Sequence, residues 1–280
     1  TIPYKRGEIQ DRNGNVFAKS EKVYNVILDC VAVNGGDEEE QAKLKEQEID
    51  YIEPTIDALV KTLGLDEAEL RSLITDPATS GSRYQVLKKG ISLEEKQTFE
   101  DYTEIDSEKE YTKTDLARRR CVQGVWFEED YVRDYPLKTL ASNVIGVGSN
   151  SGGASGLESY YTDVLSGTDG REFGYLDENS DLQRTIVEPT NGNTIVSTLD
   201  INIQQVVEKY IAEFDAEYGK DAEDGKGAKS IGVIVGNPQN GEIYAMASNH
   251  GFDLTDPDDL SDKYTDAELK SMTEEKNQML

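Results

Sequence analysis

Hydrophobic and polar positions change period several times along the chain, and each change marks a predicted element. Tyr4 to Ala18 holds two strand-like pieces on either side of the turn signal Asn13-Gly14. Lys22 to Val33 alternates and is β-branched around Val23, Val26 and Ile27, which predicts another strand, and Gly35-Gly36 ends it. Over 37–74 the period lengthens. Ile49, Ile52, Ile56, Leu59, Val60 and Leu63 fall at helical steps, and a second helix follows Asp66, with Leu70, Leu73 and Ile74 on one side, until Asp76-Pro77. Tyr84, Val86 and Leu87 mark a short strand within 82–92, and Ser92 with Glu95 three residues on predicts a capped helix start. Residues 100–120 are charged and poorly periodic, so they read as loop and edge. Gly124 to Phe127 reads as strand, and Leu137 to Val147 as a short helix or strand.

Gly146 to Gly156 is the most glycine-rich stretch. Such loops cradle phosphate between a strand and a helix N-terminus, but no Gly-Lys-Ser/Thr ending follows and the charges nearby are acidic, so a flexible loop leading into a helix is expected. Ser155 and Glu158 are predicted to form that helix's capping box, with Leu157, Tyr160, Tyr161 and Leu165 as its buried face. Thr194 to Leu199 predicts a strand. Asp200 then caps a helix whose core stripe is Ile203, Val206, Val207, Tyr210, Ile211, Phe214 and Tyr218. Past a polar loop at Asp221 to Gly227, the strands Ile231 to Gly236 and Glu242 to Ser248 are joined by Asn237-Pro238-Gln239-Asn240-Gly241, a hairpin loop. Residues 253–280 are acidic and poor in large apolar residues, so a mixed sheet is opened and not finished. An unfinished sheet exposes an edge and an apolar face, and roughly the last 30 residues are expected to be mobile or packed against the preceding part of the chain or a neighbour.

Composition narrows the classes. The 280 residues are 36% hydrophobic and 30% charged, enough chain for about two domains of roughly 150 residues. A net charge of −27 repels phosphate backbones and excludes nucleic acid as a partner; it is −10 over 1–150 and −17 over 151–280. Cys30 and Cys121 lack CxxC spacing and His250 is the single histidine, so no zinc cage or redox pair is encoded; whether the two cysteines pair is left open. No cofactor or metal is expected. Asp253 to Asp259 supplies oxygen ligands but lacks the loop glycine and terminal glutamate of an EF-hand. No run approaches the roughly 18–20 apolar residues that span a bilayer. Because the sequence opens on Thr1, an upstream segment is expected to have been removed.

Several motifs then stand in an order that resembles class B penicillin-binding proteins. Arg6-Gly7-x-Ile9-x-Asp11-Arg12-Asn13-Gly14 with Ala18 resembles the opening of their non-catalytic pedestal, or dimerisation, domain. Tyr84 to Ser92 is similar to a mid-pedestal strand. Arg133-Asp134-Tyr135-Pro136, Leu140 to Gly146, and Ser155-Gly156-Leu157-Glu158 with Tyr161, Leu165, Gly167 and Gly170 resemble its remaining motifs. Thr198-Leu199-Asp200-x-x-Ile203-Gln204 and Asn237-Pro238-x-x-Gly241-Glu242 to Ser248 resemble the first strand, helix and hairpin of the transpeptidase domain. On structural grounds Arg6, Asp11 and Arg12 are expected to form a salt-bridged turn, and Gly156-Leu157-Glu158 a cap.

The resemblance implies an α+β architecture: an elongated pedestal over 1–188 with an inserted helical and β head at 35–125, then a partial α/β transpeptidase segment over 189–280. The N-terminal strand region is expected to pair with segments from 130–188. The family's chemistry uses a serine activated by a lysine one helical turn later, with Ser-x-Asn and Lys-Thr/Ser-Gly completing the site. No serine here has lysine three positions on or asparagine two positions on, and Lys61, Lys113, Lys138 and Lys229 lack the glycine their motif needs. No catalytic residue is therefore assigned, and the nucleophile is expected beyond Leu280. His250 is expected to be a solvated turn histidine. The resemblance further implies an extracytoplasmic region of a single-pass membrane protein, contact with a membrane-embedded glycan polymerase and other cell-wall synthesis proteins, and self-association. The alternative is an acidic extracellular binding or scaffolding module with no enzymatic parent.

Overall fold

The computed structural model describes residues 1–107, 109–176, 182–219, 230–259 and 270. The chain forms two compact units, one of residues 1–21 and 132–280 and the other of residues 22–131. It leaves the first unit within the strand Val16–Leu28 and returns within the strand Val125–Asp134.

In the unit of residues 22–131, the end of Val16–Leu28 pairs antiparallel with Gln85–Ile91, in the register Tyr24 to Ile91 and Ile27 to Val86. Tyr24, Val26 and Leu28 present one face of this sheet to the helices Ile52–Leu63, Glu67–Thr75 and Leu93–Thr103. Ile56, Leu59, Leu63, Leu70, Ile74 and Phe99 close the core. Asp66 caps its helix, Ser92 caps as its sequence position predicts, and Glu95 returns the bond to the Ser92 amide. Gly64 ends its helix at φ 65°, a conformation that favours glycine.

Three expectations change here. The strand predicted over Lys22 to Val33 stops at Leu28, because Asp29 accepts from the Ala32 amide and starts the short helix Cys30–Val33. Ile49 lies outside the helix and is exposed. Residues 100–120 hold the end of Leu93–Thr103 and a second helix, Lys113–Cys121, capped by Thr112. None of that second helix's residues is buried, so it has no apolar stripe to read. Its arginines instead cap its neighbour: Arg118 donates to Tyr102 O, and Arg119 to Asp101 O and Glu104 O, placing cations on the negative end of Leu93–Thr103. Cys30 and Cys121 are both free thiols.

In the other unit, Ile9–Gln10 is a central strand. It pairs antiparallel with Val16–Leu28 (Ile9 to Ala18) and parallel with Ile195–Val196 (Ile9 to Ile195). That second neighbour lies beyond the 130–188 range expected for it, while Ile2 does bridge Gly170 within the range. Ile9, Phe17, Ala18, Tyr135, Leu140, Ile145, Leu165 and Leu199 form the core. The strand predicted over Thr194 to Leu199 is the two residues Ile195–Val196. The glycine stretch is ordered by pairing, Gly148–Ser149 against Gly152–Gly153, ahead of the helices Gly156–Tyr160 and Thr162–Leu165. Tyr160 is 80% exposed, so the buried face there is Leu165, which is fully buried, with partly buried Leu157.

Asp200 caps the helix Ile201–Tyr218, which packs on the hairpin Gly232–Gly236 and Ile243–Ser248. Its buried residues are Gln204 and Ile211. Most of the predicted stripe faces outward, with Val206, Tyr210, Phe214 and Tyr218 about half exposed or more. The loop at 221–227 and most of the acidic end fall outside the described residues. Among the described residues no helix is long and apolar enough to cross a membrane. Replacing Ser92 by alanine removes one cap acceptor and strands its partner amide; a loss of about 1 kcal/mol in urea unfolding is expected, whereas an unchanged midpoint would show the cap to be dispensable.

Candidate functional site

The positions singled out in the sequence fall into two junctions, both within the unit of residues 1–21 and 132–280. The first is built around a fully buried carboxylate. Glu158 Oε2 accepts from Arg6 Nε at 2.9 Å, and its Oε1 accepts from Arg133 Nε at 2.6 Å. Arg6 is itself fully buried and spends its remaining donors on Glu158 O, Ser166 Oγ and Thr162 Oγ1. Arg133 reaches back to Gly7 O at 2.7 Å and Ser20 Oγ at 3.4 Å, and its Nη2 is buried without a hydrogen-bond partner among the described residues.

Two guanidiniums on one carboxylate leave a net positive charge away from water, and backbone carbonyls and hydroxyls take up most of the other donors. Burial pushes the Tyr135 hydroxyl up to about 12, with the Glu158 carboxylate adding to it; the Gly148 backbone and Arg133 pull the other way. That hydroxyl accepts from Gly148 N at 2.7 Å.

This geometry replaces two expectations. Glu158 does not return to a cap amide, and Ser155 makes no side-chain cap; Ser155 Oγ accepts from Val147 N instead. The capping-box spacing was present, but two arginines compete for the carboxylate with charge-assisted bonds. The glycine loop serves the same junction. A Cβ at Gly148 would stand 2.6 Å from Glu158 Oε2, one at Gly153 2.0 Å from Glu158 O, and Gly156 sits at φ 58°. The loop's small residues let backbone approach a buried carboxylate rather than a phosphate. Gly7 is equally constrained, since a Cβ there would meet Asn193 O at 2.0 Å.

The second junction is the turn Asp11 to Asn15. Among the described residues no arginine bridges Asp11, contrary to the expected salt-bridged turn. The buried Asp11 carboxylate accepts from Asn13 N and Asn15 N at 2.8 Å, Asn15 Nδ2 at 2.9 Å, and Ile201 N at 3.2 Å. Burial pushes its pKa upward, but the donors from Asn15, Ile201 and Asn13 outweigh this and hold the carboxyl below its ordinary 3.8. Gly14 closes the turn at φ 85°. The turn is thereby fixed to the start of a helix nearly two hundred residues away. Asn13 Nδ2 donates to Asp200 Oδ2, Arg12 N donates to Leu199 O, and the Arg12 guanidinium lies 4.6 Å from the Tyr244 ring centre and 3.6 Å from Glu242.

Gln204, fully buried, acts as a short piece of strand. Its Nε2 donates to Met246 O and its Oε1 accepts from Met246 N, both at 2.9 Å. Pro238 and Gly241 shape the hairpin loop, Gly241 at φ 79° with its amide on Asn237 O. Sequence reasoning missed Glu208, which accepts from Ala141 N and Gln204 Nε2 and lines a cleft of about 210 Å³ with Asp215 and Asn143. It also missed Ser230, whose Oγ lies 3.1 Å from His250 Nε2 at the surface. Among the described residues no group of three or more potential metal ligands gathers.

The family described as Penicillin-binding Protein dimerisation domain matches residues 1–197. The chain is 33% identical over 140 residues to Stage V sporulation protein D of Bacillus subtilis, covering 48% of this chain and 20% of that one. It is 26% identical over 275 residues to the peptidoglycan D,D-transpeptidase MrdA of Acinetobacter baumannii, covering 90% of this chain and 34% of that one. Penicillin Binding Protein 2X from Streptococcus thermophilus has the same fold over 94% of this chain and 37% of its own, with a TM-score of 0.64 and 22% identity. The Helicobacter pylori penicillin-binding protein PBP2, solved as a complex with MreC, follows at a TM-score of 0.58, 19% identity and 91% of this chain, 43% of that one. The matched region is thus under half the length of each of these relatives.

Glu158→Gln leaves two buried guanidiniums facing a neutral amide and is expected to cost about 3–5 kcal/mol in urea unfolding, against about 1 kcal/mol for Ser155→Ala. Equal losses would show that the carboxylate is not the junction's centre. Since the folded pKa of Asp11 is depressed, its stabilisation is present above its ordinary value and is lost as pH falls through the lower folded value. Asp11→Asn should therefore flatten the acid limb of the stability profile below about pH 4. An unchanged acid limb would remove Asp11 from that account.

Proposed function

Because the chain belongs to the class B penicillin-binding proteins and carries their dimerisation domain, we propose that residues 1–188 form a non-catalytic pedestal and 189–280 the opening portion of a transpeptidase domain in a longer protein. The family comprises peptidoglycan D,D-transpeptidases of cell-wall synthesis. The whole protein would crosslink stem peptides through an acyl-serine, a step for which this chain holds none of the three motifs. Its own part is to hold and present: a scaffold and interaction platform on the extracytoplasmic side of the membrane, tethered by a single anchor.

The observation that carries this reading is the Asp11 turn. A motif of the pedestal's opening supplies the acceptor for the first amide of the helix whose own motif resembles the start of the transpeptidase domain. The two motif sets form one packed structure, as a pedestal built to hold a catalytic domain requires. The outward stripe of Val206, Tyr210, Phe214 and Tyr218 supports the same reading, because an apolar helix face of that extent calls for further polypeptide over it. The Helicobacter pylori relative is found with MreC, and for this chain we infer partners of the same kind, cell-wall synthesis proteins that include a membrane-embedded glycan polymerase.

Incubation with a fluorescent penicillin separates the parts of the proposal. Residues 1–280 alone are expected to remain unlabelled, and the longer protein to label at a Ser-x-x-Lys serine beyond residue 280. Covalent labelling of any serine within 1–280, or a longer protein without that motif, would overturn it.

A further inference from the structure

Asn-Gly is the dipeptide in which a side-chain amide is most open to attack by the following backbone nitrogen, since glycine puts no side chain in the way. The sequence has four: Asn13-Gly14, Asn34-Gly35, Asn191-Gly192 and Asn240-Gly241. Three are restrained by the fold. Asn13 Nδ2 donates to Asp200 Oδ2 at 3.1 Å, and the Asp11 and Asp200 carboxylates beside it oppose the negative charge that attack would build. Asn34 Nδ2 is held by Ile74 O at 2.9 Å. Asn191 Oδ1 accepts from Lys5 N and Gly192 N donates to Lys5 O, with Leu165 O only 1.7 Å from where a Gly192 Cβ would stand, so that peptide has no room to turn.

Asn240 shares its exposure with Asn13 and Asn191, and the open space beside its glycine with Gly14, where nothing lies within 4 Å of a Cβ either; it differs in combining that space with an unheld side-chain nitrogen. Its Oδ1 accepts from Glu242 N at 3.0 Å, which polarises Cγ and would carry part of an oxyanion forming there. Its Nδ2, the leaving group, has no hydrogen bond among the described residues. The attacking nitrogen, Gly241 N, is engaged by Asn237 O at 2.8 Å, a bond internal to the loop that opens without disturbing the core.

We propose that Asn240 is a self-modification site. Hydroxide removes the Gly241 amide proton, the nitrogen bonds to Asn240 Cγ, and the Cγ–Nδ2 bond breaks as Nδ2 takes up a proton and leaves as ammonia. Water then opens the resulting succinimide at either carbonyl, leaving aspartate or isoaspartate; the net change is amide plus water to acid plus ammonia, with no redox step. The new carboxylate arises two residues from Glu242, the partner of Arg12 at 3.6 Å, and competes for the guanidinium that ties the hairpin to the Asp11 turn.

The test is peptide mapping by mass spectrometry of the full chain held at mildly alkaline pH, folded and in urea. In the folded chain the hairpin peptide should convert at least several-fold faster than the peptides carrying Asn13, Asn34 and Asn191, and in urea the four rates should converge. Asn240→Gln should abolish conversion of the hairpin peptide and leave the other three rates unchanged. Conversion at any of the other three that matches Asn240 in the folded chain, or a rate ranking that persists in urea, would overturn the proposal.

Discussion

Glu158 joins segments that the sequence keeps far apart. Its carboxylate gathers Arg6 from the chain's first strand region and Arg133 from the strand that returns from the other unit, while its own helix brings the Gly146 to Gly156 loop against it. A buried ion pair of this kind is weak evidence for net stability, because desolvating three charges consumes most of the attraction. Its effect is on specificity. Two fork-shaped guanidiniums, each also bonded to backbone or hydroxyl acceptors, admit one arrangement of the strands that carry them. The glycines follow from that requirement, since a side chain at Gly148 or Gly153 would displace the helix that delivers Glu158.

The Asp11 turn depends on the same placement. Arg133 holds Gly7 O, and Gly7 lies two residues before the central strand Ile9–Gln10, which Asp11 follows directly. From there the carboxylate meets Ile201 N, and Arg12 meets Glu242 and Tyr244. A continuous series of short polar links therefore runs from Glu158 to the helix and hairpin at the far end of the sequence. Gln204 extends it by pairing with both backbone groups of Met246, so the hairpin's inner strand is fixed by a side chain as a neighbouring strand would fix it.

Elements governed by local chemistry were legible in the sequence. Ser92 and Asp200 cap because an acceptor at that position satisfies amides two or three residues away. The hairpin is legible because Asn-Gly demands a positive φ. What was not legible is where long-range partners outbid local ones. Ser155 and Glu158 have the spacing of a capping box, yet no local pattern announces two arginines, one more than twenty and the other about a hundred and fifty residues earlier in the chain. Arg6, Asp11 and Arg12 look like a charged turn in sequence, but strand direction sends the three side chains to three different partners. The helix Lys113–Cys121 was hidden for the opposite reason: none of its residues is fully buried, so it leaves no apolar period. The motif resemblance located the residues of both junctions without revealing what bonds them.

The distribution of charge gains a physical meaning from these junctions. Among the described acidic residues, Glu158 and Asp11 are fully buried, and both are held by dedicated donors, guanidiniums in one case and backbone and side-chain amides in the other. Buried carboxylates thus organise the fold, whereas most of the remaining acids are exposed and repel one another. An excess of −17 over residues 151–280 would be a liability for a small isolated domain. Here the segment carrying it is fastened to the first fifteen residues by Asp11, Arg12 and Asn13, whose contacts are short and partly buried and so are screened less by salt than the surface repulsion they offset. The fold therefore depends less on balancing its charge than on burying a few members of it with the right partners.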